Sequence, residues 1–363
     1  MQEDDFKSRF KRLLENSQLP SDASRSAVSE MWNKIHSLLW PNIPSQLFRF
    51  RRCNLDTILS FEQGTISTCV ADKFSDRYDS FIFVDKKRIQ ENIRLAFTSQ
   101  MLEKLIGSAK NGELPAFIAK QWGTEMTTHI LDFYKHPPVD ADTMSKMLTD
   151  EFLPQFIEYI KSGFSLEEDR IRKDKLTKIA CFTEYVNSKF MWDLYADGYK
   201  GFALEYDFTG FHHNGCAVCQ ETGCDKRNYS SLFPVLYSDI RYDASLLVEK
   251  LIIQNILKQY GIKECPPFPD QLYWYKAYLY KDIKEYSHEH EWRMINRCIA
   301  TQNRDFSDIS DQGCLKAIYY GPCIEERYRA HLSIIAKYRG IKEYMVDVDE
   351  EKPSYELNIL PVE

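Results

Sequence analysis

The chain has 363 residues, enough for one large domain or two of ordinary size. Hydrophobic residues make up 44% and charged residues 28%, a balance that excludes a disordered chain and allows a sizeable packed core. A net charge of −7 excludes the basic footprint of a general nucleic-acid binder, while a local basic patch stays compatible with it.

The opening, MQEDDFKSRFKRLLENSQ, is charged throughout and lacks an apolar signal core, and no apolar run is long enough to span a bilayer. The expectation is a cytoplasmic protein without a membrane partner. Ten cysteines in such a chain read as free thiols or metal ligands rather than a disulfide framework.

Two helices are expected over residues 1–40, an N-terminal helical appendage. Phe6, Phe10, Leu13 and Leu14 form one stripe; Val28, Met31, Trp32, Ile35, Leu38 and Leu39 form the other. Pro41 and Pro44 end that section. Leu47–Arg52, LFRFRR, reads as a strand presenting Arg49 and Arg51 on one face. A solvated strand face would explain them, but two guanidinium forks among aromatics also suit phosphate or carboxylate. A short helix over Asn54–Glu62 follows, stopped by Gly64, then a strand over Thr65–Val70 and the polar loop DKFSDRYD, Asp72–Asp79.

Residues 86–178 read as mostly helical, with one long helix through Ile89, Ile93, Met101 and Leu105. The centre of the chain is Cys181–Phe208, an aromatic elbow over Asn187–Tyr199 running into a strand at Gly201–Phe208. Such an elbow is commonly core. The following HHNGCAVCQETGC, His212–Cys224, offers Cys216, Cys219, Cys224 and His213 (or His212) as ligands for a structural zinc; a surface loop with free thiols is the alternative. Helices are expected over 243–260 and over 268–281, the latter starting at Pro269. A strand entered at Glu291, another over Leu315–Tyr320, a helix over Glu325–Tyr338 and closing strands over Ile341–Val348 and Tyr355–Leu360 complete the chain. No Gly-rich phosphate loop appears. The expected fold is α+β: a mixed or antiparallel central sheet of short strands surrounded by many helices. Residues 41–363 form a single domain, with a helical insertion at about 86–178 and the Cys/His-rich loop at 209–230.

Three segments carry a resemblance: LFRFRRCN with TISTCVADKFSDRYD, the central CFTEYVNSKFMWDLYADGYKGFALEYDF, and YSHEHEWRMI with LKAIYYGPCI. Together they resemble a bacterial family named only as domain of unknown function 2971. The match runs over roughly residues 45–345, departing where Ser75 and Arg77 stand in the loop in place of the usual Asn and Pro. The layout is also similar to that of ADP-ribosyltransferases, and this likeness implies an ADP-ribosyltransferase-like core. It implies NAD as substrate, with Arg49 holding ribose and phosphates, Tyr195 or Trp192 as an aromatic platform, and Glu291 as the late-strand carboxylate. Arg51, Phe74 and Asp76 join the expected nucleotide site.

Cleavage of the nicotinamide–ribose bond builds oxocarbenium-like charge that a carboxylate can stabilise. Glu291 could equally form a salt bridge with Arg293 or Lys284, and Glu289 competes for its role. The expectation for Glu291→Gln is lost activity with an intact fold. The leading reading is an NAD-consuming ADP-ribosyltransferase or glycohydrolase acting as a bacterial toxin or anti-phage effector, with protein or nucleic acid as acceptor. One alternative is a non-catalytic binding module built on Trp192, Tyr195 and Trp292. Another is a metal-dependent hydrolase or nuclease using His288, Glu289, His290 and Glu291.

Overall fold

The computed structural model describes residues 5–113, 127–209, 232–259, 268, 270–297, 304–311, 313–348, 353 and 356–362. Its strands are β1 (Leu47–Arg51), β2 (Thr65–Cys69), β3 (Thr177–Thr183), β4 (Phe202–Tyr206), β5 (Leu232–Pro234), β6 (Leu236–Ser238), β7 (Tyr280–Asp282), β8 (Glu291–Arg297), β9 (Phe306–Ser310), β10 (Leu315–Tyr320), β11 (Lys342–Val348) and β12 (Leu357–Pro361). Ten of them form one mixed sheet in the order β12-β11-β10-β4-β1-β3-β2-β9, with β8 on β3 and β5 on β8; β6 and β7 pair separately. The parallel pair β10–β11 is joined by the helix Glu326–Arg339, a crossover that antiparallel neighbours do not need. The protein is therefore mixed α/β, as composition and pattern implied.

One irregularity of this sheet creates the site. β8 pairs with β3 along its whole length, from Thr177↔Arg297 to Thr183↔Glu291. The opposite edge of β3 meets β1 at Phe48↔Thr183 and β2 at Cys69↔Ile179. Between these contacts β1 and β2 diverge and the sheet opens. β1 keeps its other edge fully paired to β4, from Leu47↔Tyr206 to Arg51↔Phe202, so the divergence does not fray it.

The core lies on both faces of the sheet. One cluster packs Phe61, Phe182, Leu204, Tyr206, Trp292 and Ile318. A second sets Phe48, Phe50, Trp192, Ala203 and Tyr319 against the opposite face. All five residues of β4 are buried because it is an inner strand covered on both sides, so its side chains do not alternate with solvent. Gly201 lets β4 start beside β1: an added Cβ would stand 2.0 Å from the Arg51 carbonyl oxygen.

The N-terminal hairpin is part of the main core rather than an appendage. Phe10 and Leu14 of helix Phe6–Asn16 and Ile35 and Leu39 of helix Arg25–Leu39 are buried with Phe233, Tyr278 and Ile295. Asp270 ties the hairpin down, its carboxylate accepting from the Leu19 amide (3.0 Å) and from Lys276 (2.6 Å). Lys276 also donates to the Ser17 carbonyl at 2.7 Å. The long helix expected through Ile89 and Leu105 is two, Lys86–Ala96 and Ser99–Lys110. Thr98 takes extended backbone between them and donates its hydroxyl to the Leu95 carbonyl, the side-chain competition that breaks helices. The helix expected over 268–281 is shorter, Tyr273–Leu279, because Tyr280 turns to extended backbone and enters β7; Pro269 lies outside the described residues.

Candidate functional site

The opening in the sheet is a cavity of about 440 Å³, within the usual range of a ligand site. β1 contributes Phe48, Arg49, Phe50 and Arg51; the loop after β2 contributes Phe74, Asp76 and Asp79. Ile179, Cys181 and Phe182 come from β3, Met191, Leu194 and Tyr195 from the helix Lys189–Tyr195, and Lys281, Glu289, Glu291 and Arg293 from β7, β8 and the turn between them. All three sequence segments singled out above therefore meet at one cleft. β1 and β8 flank β3, so Arg49 and Glu291 start about two strand spacings, roughly 10 Å, apart.

Strand alternation alone would separate these groups. Arg49 pairs with Leu204 and lies over the Phe182 ring, centroid distance 5.9 Å. Glu291 and Arg293 pair with Thr183 and Cys181, whose side chains point to the other face from Phe182. They share a cavity because β1 and β2 leave β3 and let side chains from both faces reach the gap.

The basic wall is under-bonded. Arg49 Nη1 is buried with no hydrogen-bond partner among the described residues. Arg51 donates across the gap to the Ser67 hydroxyl of β2. Burial, and after it the like charge of Arg49, pulls the Arg51 pKa down to about 9. A guanidinium keeps its charge at neutral pH even so, and the depression reports surroundings that an anion would improve.

The acidic wall is saturated. Arg293 is fully buried. It donates to Asp79 from Nη1 and Nη2 at 2.8 and 2.5 Å, and to Glu291 from Nε and Nη2 at 2.8 and 3.1 Å. Nη1 also reaches the Tyr278 carbonyl at 2.6 Å, so all five guanidinium N–H groups are used. Phe74 covers the guanidinium carbon at 5.4 Å. Lys281 bridges Glu289 (2.6 Å) and Glu291 (2.9 Å) and sits 4.4 Å above the Tyr286 ring. Tyr195 donates its hydroxyl to Glu289 at 2.7 Å. Burial opposes ionisation of Glu291, but the charges of Arg293 and Lys281 outweigh it and hold the carboxyl well below the usual range. Burial and then Glu289 push the Tyr195 phenol far up, so it stays a donor. Burial also drives up the Cys181 thiol, with Glu291 adding to it.

Glu291, Arg49, Tyr195, Arg51, Phe74 and Asp76 thus all line the cavity. Trp192 does not: it is fully buried beneath Phe50, ring centroids 5.0 Å apart, with its indole N–H donating to the Val186 carbonyl at 2.7 Å. Trp292 likewise is core, stacked on Phe6 at 5.9 Å and bonded to Glu184 at 2.7 Å. The expected Lys284 partner of Glu291 is replaced by Lys281, because β7 points Lys281 at the carboxylates while Lys284 lies in the next helical turn, its backbone amide donating to the Asp282 cap. The expectation that Glu291→Gln spares the fold is revised for the same reason: neutralising it leaves two buried cations short of a charge.

Sequence reasoning missed Asp79, Lys281, Ser67 and Cys181 as site residues. Lys281 had a signal, a cation closing the aromatic run that begins with helix Tyr273–Leu279; the others had none. His288 and His290 are turned to rings instead, their centroids 3.9 Å from Phe190 and 4.8 Å from Tyr185. Among the described residues no group of three or more His, Cys, Asp or Glu could hold a metal ion. Cys216, Cys219, Cys224, His212 and His213, the expected zinc ligands, lie outside the described residues. No described helix is long and apolar enough to cross a membrane.

No family model, no curated protein and no solved structure matches the chain.

Proposed function

We propose that the cleft binds NAD and breaks its nicotinamide–ribose bond, as an ADP-ribosyltransferase or NAD glycohydrolase. One observation carries this reading: a single cavity has an under-bonded guanidinium pair at one end and three ion-paired carboxylates at the other. NAD has the matching polarity, an anionic pyrophosphate followed by a ribose that carries positive charge as its bond to the pyridinium breaks. Arg49 and Arg51 face the pyrophosphate, whose oxygens satisfy the bare Nη1. Tyr195 and Phe50 wall the nicotinamide end, and the carboxylates of the β7–β8 region face the ribose. The segments that resemble domain of unknown function 2971, and their similarity in layout to ADP-ribosyltransferases, imply the same assignment.

The test is thermal melting with NAD, ADP-ribose, inorganic pyrophosphate and divalent metals in turn, beside chromatographic detection of nicotinamide. Stabilisation by NAD and ADP-ribose with nicotinamide released is expected. Stabilisation without release would leave a ligand-binding module. Stabilisation by metals alone would replace the reading with metal-dependent chemistry.

A further inference from the structure

We infer that Glu289, rather than Glu291, is the carboxylate that meets the substrate. This inference rests on the NAD reading and assigns the reacting contact within it. An ionised carboxylate has four acceptor positions, two on each oxygen. Glu291 has three of its own filled, all by buried cations. Oε1 accepts from Arg293 Nε, and Oε2 accepts from both Arg293 Nη2 and Lys281. A ribose hydroxyl reaching Glu291 would have to compete with a guanidinium bound to both of its oxygens.

Glu289 is differently placed. Oε1 accepts from the Tyr195 hydroxyl and Oε2 from Lys281, leaving one position on each oxygen. It lines the same cavity, and among the described residues its side chain is held by Lys281 and Tyr195 rather than by an arginine. The backbone explains the geometry. Glu289 closes the short turn Ser287–Glu289, and His290 is left-handed at φ 45° and ψ 50°. That reversal carries Glu289 to the same lysine that Glu291 meets from β8. The Thr183 hydroxyl donates to the Glu289 carbonyl at 2.6 Å and fixes the turn against β3.

The step balances without a further reactant beyond water. The C1′–N bond breaks and its electron pair passes to the pyridinium nitrogen, which leaves as neutral nicotinamide. The positive charge moves to C1′ and the ring oxygen, facing Glu289. A ribose hydroxyl donates into one open position of the carboxylate. Water adds to C1′ and its proton passes to Glu289 and then to solvent, giving ADP-ribose, nicotinamide and a proton. In transfer, an acceptor hydroxyl or amine takes the place of water. Lys281 bridges Glu289 and Glu291, and Tyr195 is a positioning residue that aims Glu289.

The experiment measures nicotinamide release, ADP-ribose binding by calorimetry, and melting for wild type, Glu289→Gln, Glu291→Gln and Tyr195→Phe. Glu289→Gln should lose on the order of a hundredfold in kcat, with ADP-ribose binding close to wild type and a smaller loss of melting temperature than Glu291→Gln. Glu291→Gln should lose melting temperature first. Tyr195→Phe should lower kcat while leaving KM close to wild type, because the carboxylate loses the hydroxyl that aims it. That split between kcat and KM keeps the inference testable if Glu289→Gln does not fold. Turnover in Glu289→Gln within a few-fold of wild type overturns the inference while leaving the NAD reading standing. A wild type that releases no nicotinamide overturns both.

Discussion

The two ends of the cleft are built on opposite principles. At the acidic end every donor of Arg293 is used, and Asp79, Glu289 and Glu291 share two buried cations. At the basic end Arg49 keeps a buried nitrogen with no partner among the described residues, and Arg51 has one neutral hydroxyl. A saturated network makes the fold specific and rigid, and removing any member strands the others. An unsatisfied buried donor is a standing cost to the empty protein, which a ligand can relieve. The contrast separates scaffold from ligand contact within one cavity, with Glu289 the member of the acidic end that keeps open acceptor positions.

The contrast can be broken most directly at Arg293. Arg293→Met keeps volume but leaves Asp79 and Glu291 buried beside one lysine, and should cost about 3–5 kcal/mol in urea unfolding. A loss under about 1 kcal/mol would mean the network contributes little net stability. Gly201→Ala tests the strand that backs the basic end. Its Cβ would overlap the Arg51 carbonyl oxygen at 2.0 Å and approach the Ala196 carbonyl oxygen at 2.9 Å. Backbone must move, at a cost of about 3 kcal/mol, and the shift of β1 should also weaken pyrophosphate binding. Unchanged melting would show that β1 and β4 have slack.

Acid sharpens the comparison. The folded pKa of Glu291 is held below its unfolded value, so the folded state binds fewer protons in the window between them. Its contribution is complete above the unfolded pKa, about 4.3, and is lost as pH falls through the folded value. The slope from this one group is at most about 1.4 kcal/mol per pH unit. The stability gap between wild type and Glu291→Gln should therefore narrow steadily below about pH 4. A gap independent of pH would assign the loss to packing. The smallest effect on stability is expected at Arg49. Arg49→Met removes a buried donor that has no partner, so unfolding should change by less than about 0.5 kcal/mol. Pyrophosphate affinity should nevertheless fall by an order of magnitude or more, the value of about 1.5–3 kcal/mol for charge-assisted bonds. A large drop in stability with unchanged affinity would make Arg49 scaffold and erase the contrast.

Much of the framework follows from the chain alone. The alternation in LFRFRR sets β1 and puts Arg49 and Arg51 on one face. Asn54 and Gly64 bracket the helix Leu55–Glu62, the first as a capping box and the second with φ 68°. The residues from Leu315 to Tyr320 form β10 as their pattern predicts. These features are local, set by periodicity, caps and glycine, and local physics is what a sequence displays. Five strands were not legible: β3 lies where the charged end of the helical stretch runs into Cys181, β5, β6 and β7 are three residues each, and the exposed β9 exists because β2 offers it an edge. The aromatic elbow reads as core, but that Trp192 is buried while Tyr195 lines the cleft was not legible, since a buried and a ligand-facing aromatic share one residue preference.

Only the tertiary structure decided which charges belong to the scaffold. Asp79, Lys281 and Arg293 lie far apart along the chain and find one another through the pairing of β3 with β8 and the turn before it. Whether a carboxylate is spent or open depends on how many donors converge on its oxygens. That number is fixed by three-dimensional packing, and no spacing within EHEWR encodes it. The chain determined that arginines and carboxylates were available to a cleft; the splitting of β1 and β2 from β3 brought both sets into the same one.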